Sequence, residues 1–345
     1  MIEEKINREP SVDIESGNVD WFVFGSAALI LFSVIILLAS YPERSSVFIN
    51  ELYLFVTSRV GVVYILAGTL VLGFLLWLSL SKYGSVVFGD ESEPEYSEFS
   101  WISMLFCAGI GASLLYWSAT EWVFYYTSPP FGLTSRSDDA LFWSLGYGIF
   151  HWGPVGWAFY CLPAISLGCS FHINKNPVLR LSAACAPVLN SWVTMWPGRV
   201  VDLLFLLGVI ATSATGLGFG TAIVSSSISE LTSMQEGLGL QIAIIAVVTF
   251  LICTSVYRGL DKGILIFSNI NAGLALLFIT FVLFVGPTVF ILEMGITTLG
   301  SVLREFITML LWTDPLQKSD FVESWTVFYW AWWLAMGPFV GMFIC

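Results

Sequence analysis

Eight stretches of this chain stay apolar for long enough to cross the roughly 30 Å hydrocarbon core of a bilayer, and this recurrence constrains the fold more than any motif does. They run over 21–41, 61–82, 101–126, 142–170, 197–228, 239–257, 264–292 and 325–345. Lipid offers no partner to a backbone N–H or C=O, so a spanning segment has to be a helix or a strand of a closed barrel. Runs of about 20 residues select the helix. Charged residues are only 11% of the chain, where a soluble domain carries about a quarter. The expected fold class is an all-α polytopic membrane protein. The first twenty residues are polar and the first apolar run is a full span, so that run is expected to stay in the protein rather than act as a cleaved leader.

Orientation is read from Lys and Arg near the span ends. With the N-terminus cytoplasmic, the inner segments hold Lys5, Arg8, Lys82, Lys175, Arg180, Arg199, Arg258 and Lys262. The outer ones hold Arg44, Arg59, Arg136, Arg304 and Lys318, so the bias is eight to five. The formal charge of −12 arises in acidic loops such as Asp90-Glu91-Ser92-Glu93, and it excludes a nucleic-acid partner, whose phosphates need a basic face. Six scattered cysteines and two distant histidines provide no metal-ligand spacing. No Ser-His-Asp set, phosphate loop or mid-span carboxylate pair is present, so the chain does not read as an enzyme.

The texture changes along the chain. Residues 1–20 read as a cytoplasmic tail, and 21–98 hold two spans with few polar residues, which read as peripheral. From Phe99 the spans become rich in Gly, Ser and Thr, which let helix backbones approach closely. In 296–324, Leu299, Leu303, Phe306, Ile307 and Leu310 recur at helical spacing around Arg304 and Glu305. That pattern fits an amphipathic periplasmic connector in the interface plane, or an ordinary packed helix. The final span, 325–345, stops at Cys345 without flanking charge, and the expectation is a C-terminally truncated chain.

The densest chemical signal is Ser324-Trp325-Thr326-Val327-Phe328-Tyr329-Trp330-Ala331-Trp332-Trp333, with four tryptophans and a tyrosine in ten residues ahead of Gly337-Pro338. A set of π-faces suits a cation with no hydrogen-bond donor, such as a quaternary ammonium. An interfacial aromatic belt is the plainer alternative. The fourth span adds His151-Trp152-Gly153-Pro154, with Trp152 and Tyr160 eight residues apart on nearly one helix face. The eighth span places Tyr329, Trp332, Trp333 and Met336 at helical spacing on one side, with Met336 as a soft, polarizable wall, and these residues with Trp152 and Tyr160 line one aromatic cavity or pack as aromatic core. In the third span, Gly109, Gly111 and Ser113 weaken the helix at mid-membrane; they mark either a small-residue packing face or an unwound ion-binding segment. In the fifth, Thr212, Ser213 and Thr215 offer hydroxyls to a hard cation or back to their own helix carbonyls. Glu121 and Asp202 sit near span ends and read as structural anchors.

The runs WTVFYWAWW…GPFVG, GIGASLLYWSATEW…YYTSPPFG, FHWGP…W..Y and ATGLGFG together resemble the betaine/carnitine/choline transporter (BCCT) family, with wording closest to its carnitine branch. The likeness extends over nearly all of the chain from about residue 20. It implies a LeuT-like inverted-repeat transporter fold, with the two peripheral helices at 21–98, the first five-helix repeat at 99–295 and the first helix of the second repeat at 325–345. It also implies a substrate cage of Trp152, Tyr160, Trp332 and Trp333, with Trp325 as a vestibule aromatic. Met336 stands where the carnitine branch has an aromatic residue, and Phe124 where it has a tyrosine. Sodium-coupled members use two threonines that match Val209 and Ser213, and a second sodium site near Cys107 and Ile110. Asn271 stands where the sodium-independent exchanger carries an arginine.

The resulting expectation is a secondary transporter of a small quaternary ammonium or betaine-type zwitterion, working by alternating access in a bacterial inner membrane. No cofactor is implied; Na+ is the candidate coupling ion, the lipid bilayer is the surrounding partner, and a homotrimer is the assembly the resemblance suggests. The rival readings are a truncated, non-transporting fragment and a membrane sensor that keeps the aromatic cage.

Overall fold

The computed structural model describes residues 19–89, 94–109, 111–259 and 263–345, with backbone alone at Gly111, Ala112 and Leu115. Every regular element among the described residues is helical, and eight helical stretches are long and apolar enough to cross a membrane. The chain is an all-α, multi-pass membrane protein.

Helix α1, Trp21–Ser40, starts where the Asp20 carboxylate accepts the Phe22 and Val23 amides at 3.1 and 3.3 Å, a side-chain N-cap. Helix α2, Pro42–Leu80, places Pro42 in its first turn, where no N–H is needed. Its 39 residues rise about 58 Å, nearly twice the hydrocarbon thickness, so it is far longer than the 61–82 run. Next come α3, Glu98–Gly109, and α4, Gly111–Thr127. These two helices divide the 101–126 run on either side of Ile110, which lies outside the described residues. Helices α5, Asp138–His151, and α6, Pro154–Gly168, divide the fourth run at Trp152-Gly153, and α6 continues as a π-turn over Cys169–Ile173. Further helices are α7, Trp196–Thr232; α8, Leu238–Gly259; α9, Leu265–Val285; and α10, Thr288–Leu311. The 264–292 run is broken because Gly286 turns extended and Pro287 has no amide to continue the ladder. Thr288 Oγ1 then donates to the Leu283 carbonyl at 2.6 Å, taking up a group the helix end leaves free. A π-turn over Val322–Val327 leads into α11, Phe328–Ile344.

The chain forms two compact units. The first comprises Met1–Asp90, Phe150–Ala211 and Ile307–Cys345. Its centre is the contact of α6 with α11, backed by α2. Glycine sets the spacing there. A methyl group on Gly337 would lie 2.6 Å from the Phe159 carbonyl oxygen, and one on Gly341 2.7 Å from the Ala164 nitrogen. Small residues of this kind are how helices dock in lipid, where burial of apolar surface gives little drive. Along α2, a methyl on Gly61 would meet Val327 at 3.1 Å, and one on Gly68 would meet Val155 at 3.0 Å and Trp330 Nε1 at 3.1 Å. Trp330 is fully buried between Phe150 and Phe159. Asp202 anchors the same unit, joined to Arg180 at 2.8 Å and to the Ser182 amide and hydroxyl at 3.1 and 2.8 Å.

The second unit comprises Glu91–Ile149 and Thr212–Phe306. Helices α3 and α9 pack together in it through a polar seam. Asn269 Nδ2 donates to Ser100 Oγ at 3.0 Å, and Asn271 Nδ2 to Cys107 Sγ at 3.3 Å. Glu121 accepts from the Tyr125 hydroxyl, and Phe131, held at φ 59° beside Gly132, sets its ring 4.6 Å from Trp143.

Candidate functional site

Five of the residues singled out as a cage lie in the first unit, and side-chain contacts link all five. Trp152 sits in the short break between α5 and α6, ahead of Gly153 and Pro154. Because the helix stops at His151, the Trp152 ring stands across the α6–α11 seam, 5.1 Å from Trp333 at 72°. Tyr160, two turns along α6, meets the same indole at 5.8 Å and 85°. Trp333 therefore meets two rings at steep angles, which makes an aromatic corner. Gly156 is what admits it: a methyl there would lie 3.0 Å from Trp333 Nε1.

Trp332 points a different way from Trp333, as neighbours on a helix do, and packs on Phe328 at 5.6 Å. It joins the group through sulfur. The Trp332 indole donates to Met336 Sδ at 2.9 Å, and the Tyr160 hydroxyl approaches the same atom at 3.9 Å. The Trp333 indole donates to the His151 carbonyl at 2.9 Å. Three polar ring edges are thus directed inward to protein acceptors. What these walls offer to a ligand is π-face, the complement of a cation that has no N–H to donate.

Trp325 occupies the π-turn and stacks on Tyr329 at 6.5 Å and 26°; Tyr329 in turn stacks on Trp333 at 5.6 Å and 26°. Positions 325, 329 and 333 form a ladder of near-parallel rings ending at the corner. Tyr329 also touches Trp152, at 5.7 Å and 64°. It belongs to the site as fully as Trp152 does, and helical spacing from Trp333 is the signal that finds it. His151 and Thr326 are further members. The imidazole Nε2 lies 3.1 Å from Thr326 Oγ1 and its ring stacks on Tyr329 at 4.8 Å. Nothing in the sequence pairs residues 151 and 326.

The other candidate positions lie in the second unit. Phe124 is 48% exposed on α4. Cys107 is on α3, its sulfur engaged by Asn271 and 3.9 Å from the Ser268 carbonyl, and Ser213 is exposed on α7. Gly109 closes α3, Gly111 opens α4, and Ser113 lies inside α4. The Ile110 position falls outside the described residues.

Residues 22–345 match the family described as BCCT, betaine/carnitine/choline family transporter. The chain is 37% identical over 275 residues to the "Uncharacterized transporter YeaV" of Escherichia coli K12, covering 80% of this chain and 57% of that one. It is 35% identical over 325 residues to the "Carnitine transporter" of Acinetobacter baumannii, covering 94% and 59%. It is 34% identical over 334 residues to the "High-affinity choline transport protein" of Escherichia coli K12, covering 96% and 49%. The chain thus spans between about half and three fifths of the length of these curated relatives. With the match running through every helix described above, the chain belongs to the betaine/carnitine/choline transporter family.

Proposed function

We propose that this chain is part of a secondary active transporter that carries a small quaternary ammonium or betaine-type zwitterion across a bacterial inner membrane by alternating access. The observation that carries the reading is the corner at Trp333, where Trp152 and Tyr160 stand at 72° and 85° to one indole. A trimethylammonium head set against such walls meets several ring faces at once. A desolvated cation–π contact is worth about 2 kcal/mol, so two or three correspond to a carrier site of about millimolar to tens of micromolar affinity. The relatives named for carnitine and choline support this ligand class, since both compounds carry that head.

In this proposal the Trp325–Tyr329–Trp333 ladder is the approach to the corner, with Trp325 at its vestibule end. The N-terminus faces the cytoplasm, on the strength of the Lys and Arg asymmetry. Na+ is the coupled ion and a homotrimer the assembly, and both rest on the family alone.

The test is uptake of radiolabelled glycine betaine, carnitine and choline by cells or proteoliposomes holding the intact protein, with and without Na+. Saturable uptake of at least one compound is expected, abolished by Trp333→Ala with membrane insertion retained. Uptake with unchanged apparent affinity in that variant would remove the corner from the reading. Uptake indifferent to Na+ would remove the ion.

A further inference from the structure

We infer that His151 is the positioning residue of the aromatic corner, acting through Thr326 and Tyr329 rather than by touching the ligand. This deepens the reading of the corner as a cation site and rests on it. His151 is fully buried at the end of α5. Four of its partners fall on one face of a single helical stretch, Thr326, Tyr329, Trp330 and Trp333, spaced three, four and seven residues from the first, while Phe321 stacks on the imidazole at 6.3 Å and 22°. The imidazole Nε2 lies 3.1 Å from Thr326 Oγ1, and the ring is 4.8 Å from Tyr329 at 28° and 5.8 Å from Trp330 at 89°. Its carbonyl holds the Trp333 indole.

A phenylalanine would fill this space as well and stack as well. What the imidazole adds is a ring plane fixed by a hydrogen bond. The partner, Thr326, sits in the π-turn Val322–Val327, a geometry that recurs at functional sites. Fixing the imidazole plane fixes Tyr329, which lies nearly parallel to it. Tyr329 fixes Trp333, from which it is inclined by only 26°. The chain of stacked rings carries the orientation from a buried polar pair to the wall that faces the cation. Trp152, the next residue along, stands perpendicular to that wall, so one peptide supplies both a wall and the reference that sets the other.

The experiment is a double-mutant cycle in the intact reconstituted protein with His151→Phe, Thr326→Val and the pair. Two readouts are taken. One is KM and Vmax for glycine betaine, carnitine and choline. The other, made without substrate, is the fluorine NMR signal of Trp333 in fluorotryptophan-labelled protein, assigned by its loss in Trp333→Phe. Each single variant should raise KM about fivefold, the scale of one hydrogen bond, and the pair no further, with Vmax per inserted protein retained. The Trp333 resonance should shift and broaden alike in all three. Effects that multiply in the pair, or an unmoved Trp333 resonance, would overturn the inference. If the wild-type protein handles none of the three compounds, the proposed substrate class falls, and the resonance alone still decides whether His151 and Thr326 set Trp333.

Discussion

At Met336 a single sulfur atom joins two rings. Its thioether accepts the Trp332 indole at 2.9 Å and lies 3.9 Å from the Tyr160 hydroxyl, so it ties α6 to α11 at the level of the corner. Thioether sulfur is a weak acceptor but a polarizable one, and the flexible side chain reaches both partners. Met336→Leu preserves the volume and removes the acceptor. We expect apparent affinity for a trimethylammonium compound to weaken about fivefold, because the freed indole N–H competes for the ligand's surroundings. A tryptophan-fluorescence titration measures this, and an unchanged midpoint would reduce Met336 to packing. The same logic separates the corner from a mere aromatic belt. Rings in a belt direct their polar edges to headgroups and water, whereas Trp333 gives its N–H to a carbonyl in a buried contact.

Among the elements, the pair α6 and α11 is the most tightly constrained, and its constraint is glycine. A methyl on Gly341 would come within 2.7 Å of the Ala164 nitrogen and 2.9 Å of Pro163. These are backbone and ring atoms with no room to turn aside, so Gly341→Ala has to push the helices apart. A loss of about 1–3 kcal/mol, read as a lower thermal midpoint in detergent, is expected. Gly25→Ala on α1, with nothing within 4 Å, should leave the midpoint unchanged or slightly raised. Seven of the expected spans coincide with apolar helices of membrane-crossing length, whereas the eighth such helix, Thr288–Leu311, falls where a connector was expected. Trp152, Tyr160, Trp332, Trp333 and Met336 were singled out by type and spacing, and the structure links them in one unit. Three further features were not legible in the sequence. The 39-residue length of α2 was hidden because Glu43, Arg44, Glu51 and Arg59 dilute its first half. The closeness of α2 to the site was hidden because Gly61 and Gly68 in an apolar helix carry no label saying what they face. The link from His151 to Thr326 was hidden because it joins positions 175 residues apart, which no local period reaches.

For the whole molecule, the question is what moves. Every wall of the corner belongs to the same compact unit, and within it α2, α6 and α11 meet through glycines at distances that leave no slack. Spin labels at Ser166→Cys on α6 and Leu334→Cys on α11, in a background with native cysteines replaced, should give one narrow distance. That distance should not change when substrate or ion is added; a second population would show that the walls separate. Helix α2 is peripheral by composition, yet Tyr53 on it donates to the Ser324 carbonyl at 3.4 Å and its glycines receive Val327 and Trp330. It acts as a splint along the back of the Trp325–Trp333 ladder. The kinematic consequence concerns release. A clamp whose jaws are cut from one compact unit does not let go by opening those jaws. If the corner holds the cation, its hold keeps one shape, loaded or empty, and release cannot come from these walls moving apart.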